Sequence, residues 1–219
     1  MSRSRERSGA GAAGAGIRRR GRLNRTLILE TALALTDRDG IDALTMRAVG
    51  DELGVEAMSL YHHVASKDAL IDGMIEVFSD RIRLDGDVFE WREDLRTLGR
   101  RFRREGLAHP DAVRLLAVRA LQAPAWRRPV EDTFASLLAG GFDPERAVHA
   151  YRIVWSYIVG YVLNDLRMRP ARSVRPLLAK LPRAEFPATH AVAAALQGTD
   201  RDAEFELGLD VVIAGLSPD

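Results

Sequence analysis

The chain has 219 residues, of which 47% are apolar and 29% charged, an ordinary globular composition that argues against wholesale disorder. With no cysteine there is no disulfide framework, thiolate metal site or cysteine nucleophile. The net charge of +1 hides an asymmetry: residues 1–25 hold eight arginines against Glu6 alone, leaving the other 194 residues at −6.

Residues 1–22 place a Gly/Ala-rich stretch, Ser8 to Gly16, between arginines. Such a segment cannot bury enough apolar surface to offset its ordering entropy, so a disordered basic arm is expected. Its charge suits a polyanion, and a solubilising tail equally well. No Gly-Lys-Ser/Thr follows its glycines, which excludes a phosphate loop. Nor does it contain the apolar centre of a signal peptide. The longest apolar run, Ile153 to Leu163, has 11 residues including Ser156, well short of the roughly 20 that a spanning helix needs. A cytoplasmic protein with no membrane partner is expected.

From Leu23 the punctuation is helical. Ile28, Leu29, Ala32 and Leu35 make a helix-period stripe that Gly40 stops. Thr45 is an N-cap for a short helix ending near Leu53, with Gly54 as its stop, and a second short helix is expected from about Glu56 to His63. Ser66 caps a further helix that buries Leu70, Ile71, Met74, Ile75 and Phe78. Three helices within residues 24–63, the last two joined by a turn at Gly54–Val55, outline a helix-turn-helix.

The remainder reads as helix too. Trp91, Leu95, Leu98 and Phe102 repeat at helical spacing up to Gly106 and the His109-Pro110 break. A helix then runs from Asp111 to about Leu121, and another starts with Pro129 at its first position and closes at Gly140-Gly141. Asp143-Pro144 opens a long helix to about Arg167; residues 170–187, with four prolines, form a loop. Two last helices span about Ala188–Leu196 and Asp202–Leu216. No convincing period-2 alternation of β-branched or aromatic residues occurs, so the expected fold is all-α.

At residues 24–78 the sequence resembles the DNA-binding domain of the TetR family of bacterial transcriptional regulators. The resemblance rests on Gly40, Leu44-Thr45, Arg47, Val49, Leu53-Gly54-Val55 and above all Leu60-Tyr61-His62-His63-Val64-Ala65-Ser66-Lys67-Asp68-Ala69-Leu70. It is looser beyond, where helix count, length and Phe205 to Asp210 resemble the family's ligand-binding and dimerisation domain. Gly50 departs from the alanine usual there, at the close approach of the two motif helices. The resemblance implies a basic arm over 1–22, a helix-turn-helix domain over 23–66 and an effector-binding and dimerisation domain over 67–219. It implies a homodimeric repressor that a small molecule, unidentified by the sequence, releases from a palindromic double-stranded DNA operator.

Chemistry supports the same assignment. A recognition helix offers its first turn to base edges in the major groove. Ala57 and Met58 suit thymine methyls, and the Ser59 hydroxyl suits a phosphate or a base. Tyr61, His62 and His63 bring phenol and imidazole donors near phosphates, with Lys67 at the next helix start. Arg47 fits guanine or phosphate, and Thr45 can cap its helix and touch phosphate. Tyr61 also reads as core, His63 as a structural hydrogen bond, and Glu56 as either a cap or a reader of cytosine. Adjacent His62 and His63 diverge by about 100° on a helix and cannot chelate one ion, so no metal and no cofactor are expected.

In the second domain, the helix from Pro144 is apolar on two faces and must bury both. The expected effector pocket is lined by Phe102, Leu116, Trp126, Phe134, Trp155, Tyr161 and Asn164, although plain core is the alternative for the aromatics. Leu116 and Asn164 stand where the tetracycline repressor resembled here keeps metal-binding His and Glu, which argues against a Mg²⁺–tetracycline effector. By the same resemblance Tyr157, Gly160, Phe205, Leu209, Val212 and Ile213 form the dimer interface. His109, His149 and His190 are scattered and no Ser/His/Asp or HExxH pattern occurs, so no enzyme is expected. An architectural DNA-binding protein without effector and a transcriptional activator are the remaining alternatives.

Overall fold

The computed structural model describes residues 22–84, 90–119, 124–168, 178, 180–195 and 200–218. Among them every regular element is helical, in agreement with the all-α expectation. The basic arm lies outside the described residues, except for its last residue, Arg22.

The head of the molecule is built by local capping. Helix α1 (Arg25–Asp39) starts at Asn24, whose side chain accepts the Leu27 N–H at 2.9 Å. It stops at Gly40, where φ is +83°. A 3₁₀ turn (Ile41–Ala43) leads to α2 (Met46–Leu53), capped by the Thr45 hydroxyl, which accepts the Ala48 N–H at 3.0 Å. Gly54, left-handed at φ +70°, turns the chain into α3 (Ala57–Tyr61). Helix α3 is shorter than the expected Glu56–His63, because His62 and His63 already sit in the turn that returns their backbone toward Leu60. Helix α4 (Lys67–Ile82) follows, with the Ser66 hydroxyl accepting the Ala69 N–H at 3.1 Å.

Gly50 explains how α2 and α3 meet. A Cβ there would lie 2.8 Å from the Val55 carbonyl oxygen and 3.3 Å from the Ala57 nitrogen. The Gly50 carbonyl itself accepts the Val55 N–H at 2.9 Å. The glycine therefore sets a tight α2–α3 approach, over a core of Leu44, Val49, Leu60 and Val64 packed with Ile28, Leu29 and Ala32 of α1 and Leu70 and Met74 of α4.

The body comprises α5 (Trp91–Ala108), α6 (Pro110–Arg119), a 3₁₀ turn (Pro124–Trp126), α7 (Arg127–Ala139), α8 (Pro144–Met168), α9 (Pro187–Val192) and α10 (Arg201–Ala214). Pro129 sits inside the first turn of α7 rather than at its first position, because the 3₁₀ turn delivers the chain already coiled. A proline is tolerated there since first-turn N–H groups have no helical acceptor. Asp143 caps α8 through the Arg146 N–H at 2.9 Å. Much of the expected 170–187 loop lies outside the described residues, and α9 is shorter than the expected Ala188–Leu196.

Helices α5, α8 and α10 pack together, with Leu95, Leu98, Phe102, Val154, Ile158, Val162, Phe205, Leu209 and Ile213 buried. Gly99 of α5 lets α10 come close: a Cβ there would lie 2.8 Å from Leu209 Cδ2. Helix α4 joins head and body, packing on α1 at one end and on α5, α6 and α7 at the other. A polar cluster ties this junction. Arg81 of α4 donates to Glu30 of α1, to Glu105 of α5 at 3.4 Å and to His109 Nε2 at 2.7 Å. With Nε2 accepting, the imidazole carries its proton on Nδ1, which donates to Asp37 of α1 at 2.6 Å.

Candidate nucleic-acid interface and effector domain

The side chains that the helix-turn-helix leaves in water include most of the expected DNA contacts. Arg47, Met58, Tyr61, His62, His63 and Lys67 are all exposed, as is Thr45, while Ala57 and Ser59 are half-buried. Met58 keeps 69% and Tyr61 45% of their surface accessible, so the phenol is not a core residue. Leu60 and Val64, between them in sequence, are buried and fix the helix on its core. The Arg47 side chain is 88% exposed and only loosely held, 3.9 Å from Asp51 across one helical turn. In water such a pair contributes little, so the guanidinium is available for a stronger partner.

Glu56 occupies the N-cap position of α3, but its side chain makes no capping hydrogen bond. The capping reading is therefore corrected: at ψ 140° its backbone starts the helix while the carboxylate stays in solvent. Glu56, Ala57, Arg47 and Asp51 border a shallow cleft of about 520 Å³ between α2 and α3.

In the body, four of the expected pocket residues meet. Trp155 is the hub, its ring centroid 4.9 Å from Phe102 and 5.0 Å from Trp126, with Tyr151 stacked at 6.2 Å. Phe134 reaches the cluster through Tyr151 at 5.0 Å. Sequence reasoning left Tyr151 out of the pocket, although its spacing from Trp155 is one helical turn. Burial pushes its phenol pKa up, against the opposing hydrogen bond from Trp126. Leu116 is buried on α6. Tyr161 and Asn164 lie elsewhere. Tyr161 turns to α10, donating to the Arg201 carbonyl at 2.9 Å, and Asn164 is exposed, accepting from Arg167 at 3.0 Å. Residues four or more apart on a wide apolar helix can face different neighbours, and spacing alone does not say which.

The expected interface residues divide as well. Phe205, Leu209 and Ile213 are buried within the single chain, against α5 and α8, and so cannot also face a second copy. Tyr157 donates to the Phe205 carbonyl at 2.8 Å and Val212 is half-buried. A helical stripe looks the same in sequence whether it packs on its own chain or on another. What α10 leaves in water is its opposite side, Ala203, Leu207, Val211 and Ala214, with Leu207 67% and Val211 65% exposed. Helix α8, packed on α10, similarly exposes Ile153, Ser156 and Gly160.

Among the described residues no helix is long and apolar enough to cross a membrane, and no three His, Asp or Glu side chains are grouped to hold a metal.

Residues 28–74 match the model of bacterial regulatory proteins of the tetR family, and residues 86–218 match the tetracyclin repressor-like C-terminal domain. The chain belongs to the TetR family. It is 32% identical over 201 residues to an HTH-type transcriptional regulator of Saccharopolyspora erythraea, covering 89% of this chain and 85% of that one. It is 31% identical to the class G tetracycline repressor of Vibrio anguillarum, over 89% of this chain and 93% of that protein. Apo ActR from Streptomyces coelicolor superposes with a TM-score of 0.72 at 30% identity, covering 89% and 94% of the two chains. As a TetR-family protein the chain is a helix-turn-helix transcriptional regulator, and its relatives are regulators rather than enzymes.

Proposed function

We propose that this TetR-family protein is a homodimeric repressor that a small-molecule effector releases from a palindromic operator. Residues 23–66 act as the DNA-binding domain and residues 67–219 as the effector-binding and dimerisation domain. The observation that carries the reading is the solvent-facing set Arg47, Met58, Tyr61, His62, His63 and Lys67 on the helix-turn-helix. In it Ala57, Met58 and Ser59 meet base edges, Arg47 meets guanine or phosphate, and Thr45, Tyr61, His62, His63 and Lys67 meet phosphates.

Dimerisation is supported by the uncovered apolar side of α10, Leu207 and Val211, and by the exposed Ile153 and Gly160 of α8. Two copies joined there match a two-fold operator. The effector reading is supported by the aromatic cluster around Trp155 and by the similar ActR, which is solved in complex with actinorhodin. A flat apolar effector parts Phe102, Trp126, Phe134 and Trp155 and takes their place against one another. It lowers operator affinity only through its differential affinity for the released state. A coupling of about 3 kcal/mol weakens operator binding roughly 150-fold. The junction cluster of Arg81, His109, Glu30 and Asp37 ties α1 of the head to α4 and the end of α5, and Phe78 of α4 packs on Phe102 of the aromatic cluster at 5.5 Å, which offers a route for such coupling.

Selection of bound sequences from random duplexes tests the reading. An inverted repeat is expected, and the selected complex should dissociate with at least one flat aromatic metabolite or antibiotic. Enrichment of no sequence would contradict it.

A further inference from the structure

A second polar site lies on the far side of α5 from the aromatic cluster. Arg100, Arg103 and Arg104 sit at i, i+3 and i+4 on one face of α5 and, with Leu107, form one wall of a cleft of about 350 Å³. Helix α10 forms the other wall through Asp202, Phe205 and Glu206.

The charges behind this cleft are uneven. Arg103 and Arg201 share one buried carboxylate, Asp165, which accepts from Arg103 Nη2 at 3.1 Å and from Arg201 Nε at 3.0 Å. The second partner of Arg103 is Asp202, at 2.7 Å, whose side chain is 80% exposed. Arg103 is 91% buried, yet its Nε finds no partner among the described residues, and neither does Arg201 Nη2. Aromatic rings screen the pair from water: the Arg103 guanidinium lies 5.2 Å from the Phe205 centroid, and that of Arg201 lies 5.2 Å from Tyr161. At the rim Arg100 is held by the half-exposed Glu206 at 2.8 Å and by Glu93 at 3.2 Å, and Arg104, among the described residues, by its neighbour Glu105 at 2.9 Å. A buried guanidinium with an unmet donor, neutralised in part from outside by an exposed surface carboxylate, is a site at which carboxylates can exchange.

We infer that the α5/α10 cleft binds a small organic carboxylate, which replaces Asp202 on Arg103 and draws in Arg104. The carboxylate accepts guanidinium hydrogen bonds while its apolar part rests on Leu107 and Phe205. The site is separate from the aromatic cluster and from the exposed face of Leu207 and Val211. It stands independently of the proposed effector reading.

The test is calorimetric titration of the full-length protein with sodium benzoate at constant ionic strength, with benzamide as the neutral isostere. Benzoate should saturate one site per chain and benzamide should give no binding heat. Arg104→Gln, a surface change, should weaken benzoate by about tenfold. Asp202→Asn removes the internal competitor and should tighten benzoate by about tenfold, the opposite of what a purely structural ion pair predicts. If Asp202→Asn fails to fold, Glu206→Gln, which leaves Arg100 with Glu93 at 3.2 Å but removes the carboxylate from the cleft wall, carries the same expectation. Equal titration by benzoate and benzamide, or unchanged benzoate affinity in the carboxylate variant that folds, would overturn the inference.

Discussion

Tyr61 and Met58 are large apolar side chains that the head leaves in water, and neither adds to its core. Their replacement should therefore separate DNA binding from folding. Tyr61→Ala and Lys67→Ala are expected to lose operator affinity, by about 1–3 kcal/mol each if their phosphate hydrogen bonds are charge-assisted, while melting temperature and helix content stay at wild-type values. Wild-type affinity in both variants would remove α3 from the interface. Tyr161 behaves oppositely. Burial, with help from Glu204, pushes its pKa up to about 12 against the pull of Arg201. The folded state thus favours the protonated phenol, a contribution present below the unfolded pKa of about 10 and lost as pH rises toward 12. Absorbance titration should show tyrosinate forming above the ordinary range, since Tyr151 and Tyr157 are raised as well, and Tyr161→Phe should remove one tyrosinate from that late phase and lessen the fall of stability across it.

At the scale of elements, what could be read in advance was what is encoded locally. Thr45 and Ser66 cap where a hydroxyl precedes an apolar periodicity, and Gly54 turns where a positive φ is needed. Glu56 was harder, because a carboxylate before a helix can cap or point away, and here it points away. The second domain resisted for a different reason. Helix α10 is apolar on several sides, and periodicity does not distinguish the side packed on α5 and α8 from the side left open. Long-range partners such as Arg81 with Glu30, 51 residues apart, leave no local mark at all. A paired substitution exposes the distinction. Leu209→Asp puts a carboxylate into the chain's own core and should cost several kcal/mol, unfolding the body. Leu207→Asp, on the open side, should leave a folded monomer that no longer holds its operator. If both variants unfold, or both remain dimeric, Leu207 does not face a second copy.

For the whole molecule, charge and symmetry set the behaviour. The 194 residues after the arm carry a net −6 and the first 25 residues are strongly positive, so the arm is the part of the chain drawn to the polyanion. Deleting residues 1–20 should flatten the dependence of log K on log[salt] by about 0.9 for each phosphate that the arm's arginines neutralise. An unchanged slope would make the arm a passive tail. On the proposed reading the heads act as a pair, since α3 is five residues long with Leu60 buried in the core, and one half-site gives little specificity. Sedimentation of the wild-type protein, alone and with its selected duplex, therefore tests the account most directly. The free protein should sediment at twice the 24.2 kDa chain mass and bind as two chains per inverted repeat. A free species of 24.2 kDa, bound as one chain to an asymmetric site, would contradict it.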